Sequence, residues 1–239
     1  MEIIKIKDMS KDFDKKKALN KINLTINKGE IFGLIGPNGA GKTTLISVLT
    51  TILIPSHGTA LIKNFDITHE SSEVRKNIGV AFQEFYLDEE LTVFDNLYVH
   101  SLLLIPNSKL RMARINECLN IMDLTNEKKT KAKNLSGGMK KRLEVARALL
   151  SEPEILFLDE PSLGLDPIAK RELWGYIKKI NFEKTTTIIL ATNSIEEAEE
   201  LCSRLALIDE GKIIKVDTIK NLTDGKKLED IFIGIKKNL

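Results

Sequence analysis

The chain is poor in cysteine, in aromatic residues and in long apolar runs. Its 239 residues include two cysteines, Cys118 and Cys202. Neither lies in a C-x-x-C pair or beside metal-spaced histidines, which excludes a disulfide framework and a zinc site. Each sits among apolar residues at helical spacing and reads as a small core filler in a reducing compartment. Aromatics make up 5% and apolar residues 42%, a balance that suits an aliphatic core and excludes disorder. Charge of one sign is also missing. The net charge of +2 gives no field for nucleic acid, and Lys15-Lys16-Lys17 and Lys128-Lys129 read as solvated faces. No run approaches the ~20 apolar residues of a membrane span. The most tempting stretch, Leu102 to Ile105, is stopped by Pro106. The start, Met1-Glu2-Ile3-Ile4-Lys5, alternates like a strand rather than a signal peptide. A cytosolic chain is expected, and any membrane role needs a partner. The histidines His57, His69 and His100 have no partners in sequence and receive no role.

What is present alternates between two periods. Strand-like segments are expected at Glu2 to Lys7, Ile22 to Ile26, Ile31 to Ile35, Gly58 to Ile62, Ile78 to Phe82, Ile155 to Leu158 and Thr187 to Ala191. Helical spacing runs from Thr44 to Thr50, from Leu91 to Leu124 with a break at Pro106-Asn107-Ser108, and from Gly138 to Leu150. It returns from Pro167 to Ile180 and from Ile195 to Ser203. A hairpin pairs Leu205–Ile208 with Ile213–Val216 about a turn at Glu210-Gly211. Repeats and low-complexity linkers are absent. The chain is therefore expected to be a single α/β domain over 1–239, with a mixed-sheet core at about 1–83 and 151–239. A mostly helical lobe at about 84–150 interrupts that core. Such folds place one nucleotide site at the carboxyl ends of parallel strands.

The chemistry is carried by short motifs. Gly36-Pro37-Asn38-Gly39-Ala40-Gly41-Lys42-Thr43 is a complete G-x-x-x-x-G-K-[ST] loop between an apolar strand and a helix start at Thr44. Backbone N–H groups and the positive end of the helix dipole converge there on a volume suited to phosphate. Lys42 is placed to reach the terminal phosphates and the Thr43 hydroxyl to ligate Mg²⁺. A second apolar strand ends in Asp159-Glu160. Taken alone, that pair also serves as a helix cap. Beside the glycine loop it reads as an Mg²⁺ ligand, Asp159, followed by a carboxylate, Glu160, that contacts an attacking water. Leu135-Ser136-Gly137-Gly138-Met139 places a serine and two glycines at another helix start, which equally describes an ordinary N-cap or an anion site.

These three landmarks, in this order and over essentially the whole chain, resemble the signature of ABC-type ATPases. The resemblance implies an α/β fold: a P-loop NTPase core with an antiparallel β subdomain and an inserted helical lobe. It implies ATP and Mg²⁺ as cofactors, with Gly36 to Thr44, Ser136, Gly137 and Gly138 as nucleotide contacts. Two subunits, alike or related, then sandwich ATP, with Ser136 and Gly138 facing the phosphate held by the partner's Lys42. Phe13, ahead of Ala18-Leu19, resembles the aromatic that stacks on adenine. Gln83 resembles the glutamine that touches Mg²⁺ and the attacking water. Its loop, Gln83 to Leu91, resembles the surface that receives a coupling helix from an integral membrane permease. Pro161 to Asp166 resembles the loop that crosses the dimer seam. The resemblance implies a cytoplasmic subunit held peripherally at the inner face of the membrane.

One position departs from that pattern. Asn193 stands where the family segment usually ends in histidine. Asn donates a hydrogen bond but carries no charge, so a slowed ATPase is expected, with Lys42, Asp159 and Glu160 all present. Leu228 to Ile233 resembles a tail motif of drug-exporter-like ATPases that partner ABC-2-type permeases, and fits a short closing amphipathic helix equally well. The leading expectation is an ATP-hydrolysing subunit that powers export. The alternatives are a soluble ABC-type ATPase acting on ribosomes or DNA, and a nucleotide-gated module with negligible turnover.

Overall fold

The computed structural model describes residues 1–14, 16–84 and 86–223. In chain order the elements are β1 (Glu2–Phe13), β2 (Lys16–Asn27), β3 (Ile31–Ile35), α1 (Lys42–Leu49), β4 (His57–Ile62), β5 (Phe65–Asp66), α2 (Ser71–Asn77), β6 (Ile78–Ala81), α3 (Val93–Leu104) and α4 (Ser108–Ile121). A 3₁₀ turn at Ala132–Asn134 follows. Then come α5 (Gly137–Ala148), β7 (Ile155–Asp159), α6 (Pro167–Lys184), β8 (Thr187–Thr192), α7 (Ile195–Leu201), β9 (Arg204–Asp209), β10 (Lys212–Thr218) and α8 (Ile219–Thr223). The chain divides into two compact units: residues 1–74 with the segment from Thr187 onward, and residues 75–186.

The first unit holds an antiparallel sheet in the order β2-β1-β4-β5. Alternation builds its long pair: Ile4, Ile6 and Met9 of β1 and Ile22, Leu24 and Ile26 of β2 are buried, with polar residues between them. The same unit holds β3 flanked by parallel partners β8 and β9, with β10 antiparallel on β9. Every residue of β3 and β8 is buried. Parallel strands covered on both faces have such continuous apolar sequences, which is why these segments show no alternation.

The second unit pairs β6 with β7 in parallel, Ala81 opposite Leu158, and carries α3 to α6. Thr92 caps α3 through a reciprocal pair with Asp95. Asn107 caps α4, and Asp166 caps α6 ahead of Pro167. Two buried arginines on α4 close its neighbours. Arg111 donates to the Ile105 and Pro106 carbonyls after α3. Arg114 donates to the Leu149 and Leu150 carbonyls after α5 and pairs with Glu117 and with Glu152 at 2.9 Å. Helix ends leave carbonyls unsatisfied, and these guanidinium forks supply the donors.

The expected elements are present with shifted ends. The strand expected at Glu2 to Lys7 runs on to Phe13, and the helix expected through Ser203 stops at Leu201. The short pieces β5, α2 and α8 carry too few apolar residues to show a period. Cys118 and Cys202 are buried free thiols, and burial pushes the Cys118 thiol up to about 12. The Leu228 to Ile233 motif lies outside the described residues.

Candidate functional site

In the first unit the loop from Gly36 to Thr43 follows β3 directly and opens α1. A side-chain carbon at Gly36 would lie 2.2 Å from the Ile208 carbonyl oxygen, so only glycine allows β9 to approach. Gly41 is the N-cap of α1, in left-handed backbone at φ 110°. A Cβ there would meet the Ala18 carbonyl at 2.8 Å. Backbone bonds brace the loop from outside: Gly211 N–H donates to the Ala40 carbonyl at 2.9 Å, and Asn20 N–H donates to Gly211 at 2.8 Å. Lys42 is buried, and its ammonium curls back to donate to the carbonyls of Gly36 at 2.8 Å and Pro37 at 3.3 Å. Thr43 is exposed and Thr44 partly so.

Of the N-caps of α1, α3, α4, α5, α6 and α7, five present a side-chain acceptor to the helix start. That of α1 presents none. The start of α1 thus carries the positive end of its dipole without a side-chain cap, the arrangement that suits a phosphate.

Asn193 follows β8, whose Thr192 lies opposite Ile35, the last residue before the loop. Its amide Nδ2 donates to Oδ1 of Asn38 at 3.1 Å. The residue at the departed position is thus joined to the lip of the glycine loop by a neutral amide pair. Phe13 ends β1 and is 43% exposed, and the Lys11 ammonium lies 5.1 Å from its ring centroid. The exposure leaves ring surface available for stacking.

In the second unit the β6–β7 register brings Gln83, two residues past β6, to the same end of the pair as Asp159 and Glu160. Gln83 is exposed, whereas Asp159 and Glu160 are buried. Glu160 leaves the strand in left-handed backbone at φ 49°. That conformation is unfavourable for a non-glycine residue and concentrates at functional positions. Ser136 is the N-cap of α5, and its hydroxyl accepts from Met139 N–H at 3.2 Å. Gly137 is exposed beside it, and a Cβ on Gly138 would lie 3.0 Å from Cβ of Ala169 on α6.

Three charged residues on α5 that carry no motif also touch this region. Lys141 donates to the Gln83 carbonyl at 2.6 Å, Glu144 accepts from Tyr86 N–H at 2.5 Å, and Arg147 donates to the Tyr86 carbonyl. Burial pushes the Glu144 carboxyl above its ordinary range, against the pull of Arg147. His100 is half-buried, and burial, with Arg147 nearby, pushes its imidazole below the usual range.

Comparison with known proteins agrees with this architecture. Residues 19–163 match the family model described as ABC transporter. The chain is 37% identical over 229 residues to the daunorubicin resistance ATP-binding protein DrrA3 of Streptomyces coeruleorubidus, covering 95% of this chain and 72% of that one. It is 37% identical to the Nod factor export ATP-binding protein I of Burkholderia lata, covering 88% and 69%. Among solved structures it is similar to cbiO1 of Clostridium perfringens, part of the ABC transporter complex cbiONQ. That likeness has a TM-score of 0.87 at 28% identity over 99% of this chain and 96% of that one. The dimeric post-hydrolysis state of the ATP-binding cassette MJ0796, bound to ADP and Pi, has a TM-score of 0.81 at 28% identity, covering 90% and 98%.

The chain belongs to the ABC transporter family. It is an ATP-binding subunit of that family and an ATPase, with the α/β P-loop fold, an antiparallel β subdomain and an inserted helical lobe.

Proposed function

We propose that this subunit powers export through a separate ABC-2-type permease, working at the cytoplasmic face of the membrane as one ABC-type domain over residues 1–239. The relatives named for daunorubicin resistance and Nod factor export support the direction. Among the described residues no helix is long and apolar enough to cross a membrane. The observation that carries the reading is the start of α1: an N-terminus with no side-chain cap, a glycine in left-handed backbone and a buried lysine folded over the loop.

In this reading the loop from Gly36 to Thr44 holds the phosphates of ATP and Phe13 stacks on the base. Binding would draw the Lys42 ammonium from the Gly36 and Pro37 carbonyls onto phosphate oxygens, exchanging neutral acceptors for charged ones. Thr43 hydroxyl, Gln83 amide oxygen and Asp159 carboxylate are each hard oxygen donors of the kind that suits Mg²⁺. When bound, Mg²⁺ neutralises charge on the transferring phosphoryl group. Glu160 orients the attacking water, and its rigid strand end and fixed backbone suit that positioning role. Ser136, Gly137 and Gly138 complete the pocket of a second subunit, a copy of this chain or a close relative. A switch from nearly all open to nearly all closed needs about 5.5 kcal/mol of differential binding. Two nucleotides, each contacted from both sides, are suited to supply it. Asn193 holds its place with a neutral amide, which slows turnover without abolishing it.

The Glu160→Gln chain tests the reading. With ATP and Mg²⁺, alone or with its permease, it is expected to run as a dimer on size exclusion and to return to monomer when nucleotide is removed. A strictly monomeric chain under saturating nucleotide in both settings overturns the sandwich.

A further inference from the structure

Sequence reasoning gives α5 one task, to present Ser136 at its start. The structure shows another along its length. Lys141, Glu144 and Arg147 are spaced three residues apart and form one stripe of the helix. Lys141 is 4% exposed and Glu144 1% exposed. Each of the three bonds the backbone of Gln83 or Tyr86. Arg147 also pairs with Glu144 at 3.0 Å, which orients both. Further along, Lys140 reaches Glu89 at 2.7 Å, and Lys131 and Lys133 reach Glu90 at 3.1 and 2.8 Å. Asn96 closes the stretch by bonding both N–H and carbonyl of Asp88.

Burying a lysine and a glutamate is costly, and burial already disfavours the ionised Glu144. A merely structural loop needs no such groups, since apolar packing would hold it at less cost. Backbone-directed bonds instead fix where the chain itself runs, whatever side chains it carries. Because Lys141 grips the carbonyl of Gln83, it sets the origin from which the Gln83 side chain extends.

We propose that Lys141, Glu144 and Arg147 clamp the backbone of Gln83 and Tyr86 to α5, so that the helix presenting Ser136 also positions Gln83, with Lys141 as the positioning residue. A shift of α5 when Ser136 meets phosphate is then transmitted to Gln83 as a rigid displacement. The clamp rests on the ATPase activity only for its consequence.

Two measurements test it. In the nucleotide-free chain, amide hydrogen exchange at Tyr86 is expected to accelerate at least tenfold in Glu144→Leu and to stay within threefold of the parent in Glu144→Gln, which keeps a carbonyl acceptor. Equal exchange in parent and Glu144→Leu overturns the clamp, and it does so even if the chain hydrolyses nothing. In the ATPase assay, Lys141→Met is expected to lower kcat about tenfold with KM for ATP within twofold, and Lys141→Arg to restore most of it. In a Gln83→Ala background the further loss from Lys141→Met is expected to shrink below twofold. Full additivity of the two substitutions, or a kcat unmoved by Lys141→Met, overturns the positioning role. Should Lys141→Met fail to fold, Lys141→Gln, a shorter donor, carries the same comparison.

Discussion

Two helix starts in this chain, both proposed to meet phosphate, are built in opposite ways. At α1 the N-cap is Gly41 at φ 110°, with no side chain to offer the helix. At α5 the N-cap is Ser136 in extended backbone, and its hydroxyl already serves Met139 N–H. The first start has no side-chain cap and relies on its surroundings for stability: Ala18 and Leu19 of β2, and Gly211 beyond β9. The second is self-sufficient. A hydroxyl has one proton and two acceptor sites, so Ser136 can keep accepting from Met139 while donating to a phosphate oxygen. The α1 loop is thus costly in backbone strain and has the form of an anion cradle. The α5 start is an ordinary cap with a spare proton, suited to meeting a phosphate only when another molecule brings one.

The largest expected effect breaks this comparison at its glycines. Gly41→Ala forces a Cβ against the Ala18 carbonyl and into left-handed backbone, which costs on the order of 1–3 kcal/mol. It also distorts the cradle, so ATP affinity is expected to fall at least a hundredfold, measured by calorimetric titration. Gly137→Ala places its Cβ 3.8 Å from Leu165, an ordinary contact, in the first turn of a helix. Stability there is expected to hold or rise by about 0.5 kcal/mol, since alanine favours helix, and ATP affinity of the free chain to stay unchanged. Equal losses at the two positions would show that both starts bind nucleotide in the single subunit.

The next effect sharpens the comparison on the α1 side. Asn193 touches the loop through Asn38, at 3.1 Å. A neutral pair of this kind contributes roughly 1 kcal/mol, and a charge-assisted contact about 1.5–3 kcal/mol. Asn193→His is therefore expected to raise kcat roughly ten- to a hundredfold if the imidazole reaches the transferring phosphate. Steady-state phosphate release is the readout. A kcat within twofold of the parent ends the idea that this position limits turnover.

The same contrast explains what could be read in advance. The α1 loop was legible because its ligand demands local sequence: eight consecutive residues make the cradle, between an apolar strand and a helix. The positions of Gln83, Asp159 and Glu160 were legible for a similar reason, each lying at or just past the end of a strand that the apolar run reveals. Lys141, Glu144 and Arg147 were not. On α5 they look like a solvated face, and their partners lie 58 to 61 residues away in a loop. Arg111 and Arg114 fail the eye in the same way, because apolar periodicity cannot register a guanidinium buried against carbonyls that close other helices. The Asn193–Asn38 bond spans 155 residues and depends on β3 and β8 lying side by side.

The smallest effect tests whether the Ser136 hydroxyl has two duties or one. Ser136→Ala removes the acceptor for Met139 N–H, and losing an N-cap of this kind costs about 1 kcal/mol. For a chain of this size that is a drop of about 2–4 °C in Tm. Ser136→Asp keeps the acceptor, favours the helix dipole and has no proton to donate near neutral pH. It is therefore expected to restore Tm to within about 1 °C of the parent. If the spare proton meets phosphate in the assembled pair, Ser136→Asp nonetheless lowers turnover further than Ser136→Ala, because it brings a negative charge towards the anion. Thermal melting and phosphate release on the same two variants decide the matter: parallel changes in Tm and turnover would reduce Ser136 to a cap, and opposite changes separate its two bonds.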